Sequence, residues 1–324
     1  MKKDLMFAYL IHLSKHMWDD ENTPPRNLYQ SQRYTPTNNV DIRVWDEMVK
    51  FLGERKYNTL LIDVGDAVKY ESHPEISAPD AWDKDYLKKK LDEIRALGIT
   101  PIPKLNFSCC HHTWLKEYRR MVSTPTYYKV CADVIGEVCE VFDSPEFIHL
   151  GLDEETPEMQ TYREAVHCRQ GDLWWNDVFF YFREVEKHGA RPWVWSDSYW
   201  HKPDEFLKNM PKSVLQSNWY YGPFLDFKKL NNERDQRRYR IISAYEELDM
   251  HGYEQVPTAS SFETPGQYNI LGTVAHGKAT ISPESLRGYM VAPWWYVEPV
   301  SEYILKHDAH VLYSARCEYY PETL

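Results

Sequence analysis

Residues 146–155, EFIHLGLDEE, set three consecutive carboxylates, Asp153, Glu154 and Glu155, at the end of an apolar run that carries His149 and Gly151. Adjacent like charges repel unless each has its own partner or task. In a partly dry pocket two neighbouring carboxylates titrate apart, so one stays charged while the other holds a proton near neutral pH. Cleavage of a glycosidic bond uses that division of labour. Asp153 and Glu154 are therefore the candidate catalytic pair. Glu155, one residue further into the loop, reads as a solvated acid or a salt-bridge partner. Groups of similar character lie in or just beyond other apolar runs: His12, Asp63, Asn106, His111, Trp195, Asp197, Trp219, Tyr220, Trp294, Trp295 and Glu298. With His149, these are the candidate substrate-binding residues. The CCHH run at 109–112 is where a metal would be sought. Adjacent cysteines and histidines cannot all face one ion, and no second pair stands at zinc spacing, so neither a metal nor a cofactor is expected.

The elements that must position these groups repeat one rhythm. Apolar runs at 5–13, 58–66, 99–107, 147–155, 191–197, 214–221, 256–262 and 286–295 are each followed by a helical pattern. Continuous apolar runs suit parallel strands buried on both faces. Eight βα units in 324 residues predict an α/β fold, a single (β/α)8 TIM barrel over 1–324 with no second domain. An open doubly wound sheet is the alternative, but no glycine-rich phosphate loop follows any run. In such a barrel catalytic groups sit where strands end. Along a strand His149, Gly151 and Asp153 share one face and Glu154 takes the other. Both carboxylates can reach the mouth only if that alternation relaxes at the strand end.

Composition narrows the partners. A net charge of −11 argues against nucleic acid, whose phosphates need clustered Lys and Arg. The basic group Arg234, Arg237, Arg238 and Arg240 is interrupted by Asp235 and reads as a solvated helix face. Twelve Trp and 24 Tyr supply flat platforms of the kind on which sugar rings sit. The six cysteines show no disulfide spacing, and Cys131 and Cys139 fall on a helical pattern as small hydrophobes. The first residues, MKKDLMFAYLIHL, imitate a signal peptide, but the run is short, contains His12 and leads to no small-residue cleavage site. No stretch approaches the ~18 apolar residues of a membrane helix. A cytoplasmic protein without membrane association is expected. The loops 14–39 and 155–175 are expected to shape the substrate site or to serve as homodimer contacts.

The motif HLGLDEE resembles the His-x-Gly-x-Asp-Glu signature at the fourth strand of glycoside hydrolase family 20, the β-N-acetylhexosaminidases. IPKLNFSCCHHTW is similar to that family's third-strand segment, WVWSD to its fifth strand and APWWYVEP to its eighth. Related β-N-acetylgalactosaminidases outside family 20 use the same Asp-Glu pair. Two departures stand out: Asn106 where the family usually has Asp, and one extra residue between Trp295 and Glu298. The resemblance implies a retaining exo-β-N-acetylhexosaminidase acting on an oligosaccharide or glycoconjugate that carries N-acetylhexosamine. Its 2-acetamido group would be the nucleophile, so no enzyme nucleophile is needed. Asp153 would orient the acetamido group and Glu154 would be the acid and base. The tryptophans would wall the sugar, Tyr220 or Tyr221 would hold the acetamido oxygen, and Asp63, Asp66, Asp197 and Glu298 would bind hydroxyls. Two alternatives remain: a retaining glycosidase with a protein nucleophile such as Asp197 or Glu298, and an inactive carbohydrate-binding barrel.

Overall fold

The computed structural model describes residues 5–23, 33–161, 163, 165–224 and 232–324. Residues 24–32 of the first expected loop and 162 and 164 of the second lie outside the described residues. Among the described residues eight strands form: β1 (Met6–His12), β2 (Thr59–Asp63), β3 (Thr100–Lys104), β4 (Phe147–His149), β5 (Arg191–Trp195), β6 (Leu215–Ser217), β7 (Thr258–Ala259) and β8 (Gly288–Val291). They make one sheet in the order β6-β5-β4-β3-β2-β1-β8-β7. Parallel bridges Gln216–Gln255 and Trp219–Thr258 link the β6 segment back to the β7 segment. This cyclic parallel connectivity, with helices between successive strands, is the expected (β/α)8 barrel. β2, β4 and β8 are buried along their whole length, as strands covered on both faces must be.

Helices follow the strands where the periodicity predicts them. They are α1 (Ile42–Glu54), α2 (Lys84–Ala96), α3 (Pro125–Val141), α4 (Asp172–Lys187), α5 (Ser198–His201), α6 (Pro203–Asn209), α7 (Glu233–Met250), α8 (Gly266–Thr280) and α9 (Glu302–Tyr319). Local chemistry sets several starts. The side chain of Asp83 accepts from the Tyr86 amide to begin α2, Thr124 accepts from Tyr127 before Pro125 in α3, and Asn232 accepts from Asp235 in α7. α1 buries Val44, Trp45, Met48, Val49 and Leu52, a single stripe at helical spacing. Cys131 and Cys139 are buried in α3, as expected. Arg234, Arg237 and Arg240 are exposed on α7.

The chain groups into two compact units. Met1–Ile11, Ile42–Leu60 and Val194–Leu324 form one; His12–Asp41 and Leu61–Trp193 form the other. In the first, β1 pairs with β8 from Met6 opposite Gly288, and the hydroxyls of Tyr9 and Tyr57 donate to the Leu305 and Ala309 carbonyls of α9. In the second, β3, β4 and the start of β5 pair in register, Lys104 opposite His149 and His149 opposite Trp193. No described helix is long and apolar enough to cross a membrane.

Candidate active site

The 147–155 run does not stay extended to its end. β4 stops at His149, and Gly151, Leu152 and Glu154 take positive φ of 70°, 70° and 55°. Left-handed residues break the strict alternation of a strand, which is how consecutive acids come to face one point. Gly151 is the position where only glycine fits, since a Cβ there would stand 2.0 Å from Asn106 Oδ1. Asn106 is the latch of the turn. Its Oδ1 accepts from the amides of Leu152 (3.3 Å) and Ser108 (3.0 Å), while its Nδ2 donates to Asp153 Oδ1 at 2.8 Å. The Ser108 hydroxyl donates to the Asp153 carbonyl and the Cys110 thiol to the Glu154 carbonyl. The β3 loop thus holds the backbone of both acids.

The two carboxylates meet at one imidazole. His111 Nε2 lies 3.3 Å from Asp153 Oδ2 and 3.2 Å from Glu154 Oε2. The His111 and Asp153 side chains are 3% and 10% exposed and Glu154 is 32% exposed, so the pair has a dry member and a wet one. Burial opposes the charge on each buried partner, but their mutual attraction wins. His111 is pushed up to about 10 and Asp153 down to about 2, with Lys104 and Asn106 also favouring the ionised carboxylate. At neutral pH Asp153 is an anion beside an imidazolium.

The other expected residues of this unit stand behind the pair. Asp63 forms a buried ion pair with Lys104, and His12 Nδ1 lies 3.6 Å from the same carboxylate oxygen. Burial raises and Lys104 lowers the pKa of Asp63, with a net lowering. His149 accepts from the Gly151 amide through Nδ1 at 3.1 Å, and burial holds its pKa well below the ordinary value. It braces the turn, as a buried strand histidine should. Glu155 is neither solvated nor idle: Arg169 donates to both its oxygens at 2.6 Å and also reaches Asp177 at 2.8 Å.

The remaining candidates belong to the other unit. Trp219 stacks on Tyr221 with centroids 5.1 Å apart, Tyr221 meets Trp294 edge-on at 6.3 Å, and Trp294 lies 5.9 Å from Trp195. Trp294 has φ of 63°, which turns the chain just beyond β8. Trp295 and Glu298 are partly exposed, and Glu298 precedes a 3₁₀ turn without capping it through its side chain. Asp197 is buried at the start of α5. Tyr220 turns away into a small cluster with Ile241 and Phe224, its hydroxyl donating to the Pro223 carbonyl, so Tyr221 is the tyrosine that joins the tryptophans. Sequence reasoning missed Lys104 and Arg169. Lys104 did carry a signal, since a lysine inside an apolar strand must find a counter-charge. Arg169 carried none, because it lies in a polar loop.

No protein-family model and no curated protein sequence matches the chain. Solved structures do. A glycoside hydrolase family 20 exo-β-N-acetylglucosaminidase from Vibrio harveyi, solved with N-acetylglucosamine, superposes with a TM-score of 0.60 at 11% identity over 99% of this chain and 57% of that one. A β-N-acetylhexosaminidase from Bacteroides fragilis gives 0.60 at 13% over 96% and 65%, and a Flavobacterium johnsoniae chitobiase gives 0.57 at 14% over 99% and 52%. The likeness establishes the fold. The chain spans little more than half the length of the Vibrio enzyme, so activity rests on the residues themselves.

Proposed function

We propose that the protein is a retaining exo-β-N-acetylhexosaminidase in which the substrate's 2-acetamido group is the nucleophile. One observation carries this reading: Asp153 and Glu154 share a single imidazole nitrogen. In a retaining enzyme with its own nucleophile, the two carboxylates flank the scissile bond about 5–5.5 Å apart. With both acids on one nitrogen, this pair is read as acting from one side of the sugar, so a protein nucleophile would have to be a further carboxylate such as Asp197 or Glu298. Asp153, ionised and fixed by Asn106, accepts the acetamido N–H and faces the positive charge that develops. The acetamido oxygen attacks the anomeric carbon, the bond to the leaving oxygen breaks, and Glu154 gives that oxygen its proton. Glu154 then takes a proton from water, which adds to the anomeric carbon and reopens the oxazolinium ring. The fold likeness to enzymes described as acting on N-acetylglucosamine supports the same reading.

His12, Asp63 and His149 are proposed to support the pair more than to touch sugar, because Asp63 is paired with Lys104, His12 lies beside Asp63 and His149 accepts from the Gly151 amide. Trp195, Trp219, Tyr221, Trp294 and Trp295 are proposed as a carbohydrate platform, with Asp197 and Glu298 as hydroxyl acceptors. The test is hydrolysis of aryl β-GlcNAc, β-GalNAc and unsubstituted β-glycosides side by side. Turnover of either acetamido sugar with none of the plain glycosides is expected. Comparable rates on all would demand a protein nucleophile, and no turnover would leave a binding barrel.

A further inference from the structure

His111, Asp153 and Glu154 present one nitrogen and two carboxylate oxygens that all lie within 4.8 Å of one another. His111 Nε2 is buried and aimed between the two oxygens, yet it makes a hydrogen bond of good geometry to neither. An N–H that bisects two acceptors is a poor donor to both. A cation that displaces the Nε2 proton to solvent would be well placed for all three. Zinc bonds of about 2.0–2.1 Å at tetrahedral angles put neighbouring donors roughly 3.3 Å apart, and the nitrogen stands 3.3 and 3.2 Å from the two oxygens. The outer shell is also in place. Asn106 occupies Asp153 Oδ1 and leaves Oδ2 to face the nitrogen, the kind of support that orients metal ligands. The neighbouring thiols do not join, since Cys110 Sγ is committed to the Glu154 carbonyl.

We propose that these three side chains form a reversible site for a zinc-type divalent cation, and that its occupancy switches hydrolysis off. An imidazole with two carboxylates suits Zn2+ or Co2+, whereas Mg2+ and Ca2+ prefer six or more oxygens. The bound ion takes the Glu154 lone pair that must carry the proton, so the acid cannot work. The inhibitory half rests on the proposed hydrolase activity; the binding half does not.

The experiment titrates the chelator-stripped full chain with Co2+ and reads its visible ligand-field bands, with Zn2+ as competitor. One equivalent of cobalt giving the intense bands of a low-coordinate site, bleached by Zn2+, is expected. Glu154→Gln, a partly exposed position, and His111→Gln should each lose the bands while keeping the wild-type circular dichroism. Wild type binding no more cobalt than Glu154→Gln overturns the site even if the enzyme hydrolyses hexosaminides. In a parallel assay Zn2+ should abolish hydrolysis and a chelator restore it. Full activity with the site loaded overturns the switch. Cobalt binding without any hydrolase activity would uphold the site and remove the proposed function instead.

Discussion

Glu154 and Asp153 differ by one residue and by environment, and that difference sets what each substitution does. On the proposed mechanism Glu154→Gln removes the acid while keeping shape, so kcat should fall roughly 10²–10⁴-fold, with less loss on aryl substrates whose leaving group needs no proton. Near-normal turnover of a natural disaccharide would remove Glu154 from that role. Asn106→Asp tests the departure from family 20. A second carboxylate would replace the donor 2.8 Å from Asp153 Oδ1, and like charge raises a carboxylate's pKa. The acid limb of kcat/KM should therefore move to higher pH, while an unmoved limb would show that Asn106 is only a turn residue. His111 and Asp153 also tie stability to pH. His111, raised to about 10 in the fold, contributes stability that is full below its unfolded value near 6.5 and lost as pH climbs through 10. Asp153, lowered to about 2, contributes stability that is present above about 3.9 and lost as pH falls through 2. Thermal midpoints of the wild type against His111→Gln should differ most between about pH 4 and 6.5 and converge toward pH 10. A gap that does not narrow at alkaline pH would refute the ion pair.

At the scale of elements, the positions of the strands were legible and the way β4 ends was not. Apolar runs located each strand, because residues buried on both faces leave a continuous signature. The early stop of β4 depends on positive φ at Leu152 and Glu154, and neither residue type signals it. What holds those conformations is the β3 loop on one side and Arg169 on the other. Arg169 is 3% exposed and its partners Glu155 and Asp177 are 5% and 0% exposed, so none has water to fall back on. Breaking a buried pair by removing one partner costs about 3–5 kcal/mol, because the other charge is left behind. Arg169→Met strands two carboxylates. It should lower the denaturant midpoint by at least that margin, whereas Glu155→Gln, which keeps a hydrogen-bonding partner, should lower it less. Equal and small effects would show that the network is solvated. The three consecutive acids thus have three separate settings: Asp153 on Asn106 and His111, Glu154 on His111 with a wet face, and Glu155 on Arg169.

At the scale of the molecule, eight repeats of one apolar-then-helical rhythm announced the barrel, and α7, α8 and α9 follow β6, β7 and β8 as that rhythm requires. The side-chain partners were less legible, because contacts such as Lys104 with Asp63 or Asn106 with Asp153 join positions far apart in sequence. Cysteine usage is a global feature that both views describe alike. All six are free: Cys109, Cys110, Cys131 and Cys139 are buried, Cys317 is partly covered and Cys168 is exposed. Burial pushes Cys110 and Cys139 up to about 12 and holds Cys109 well above the ordinary thiol value, which suppresses the thiolate that reacts. The folded protein should therefore show one fast thiol toward a disulfide reagent, a second slower one, and all six only after denaturation. Cys168→Ser should remove the fast phase and leave the others. Reducing agent should not change the thermal midpoint, since no cross-link exists to be cut. A midpoint that drops under reduction, or fewer than six thiols in denaturant, would mean that two of these cysteines pair in solution and that the packing around α3 or the β3 loop differs from the one described.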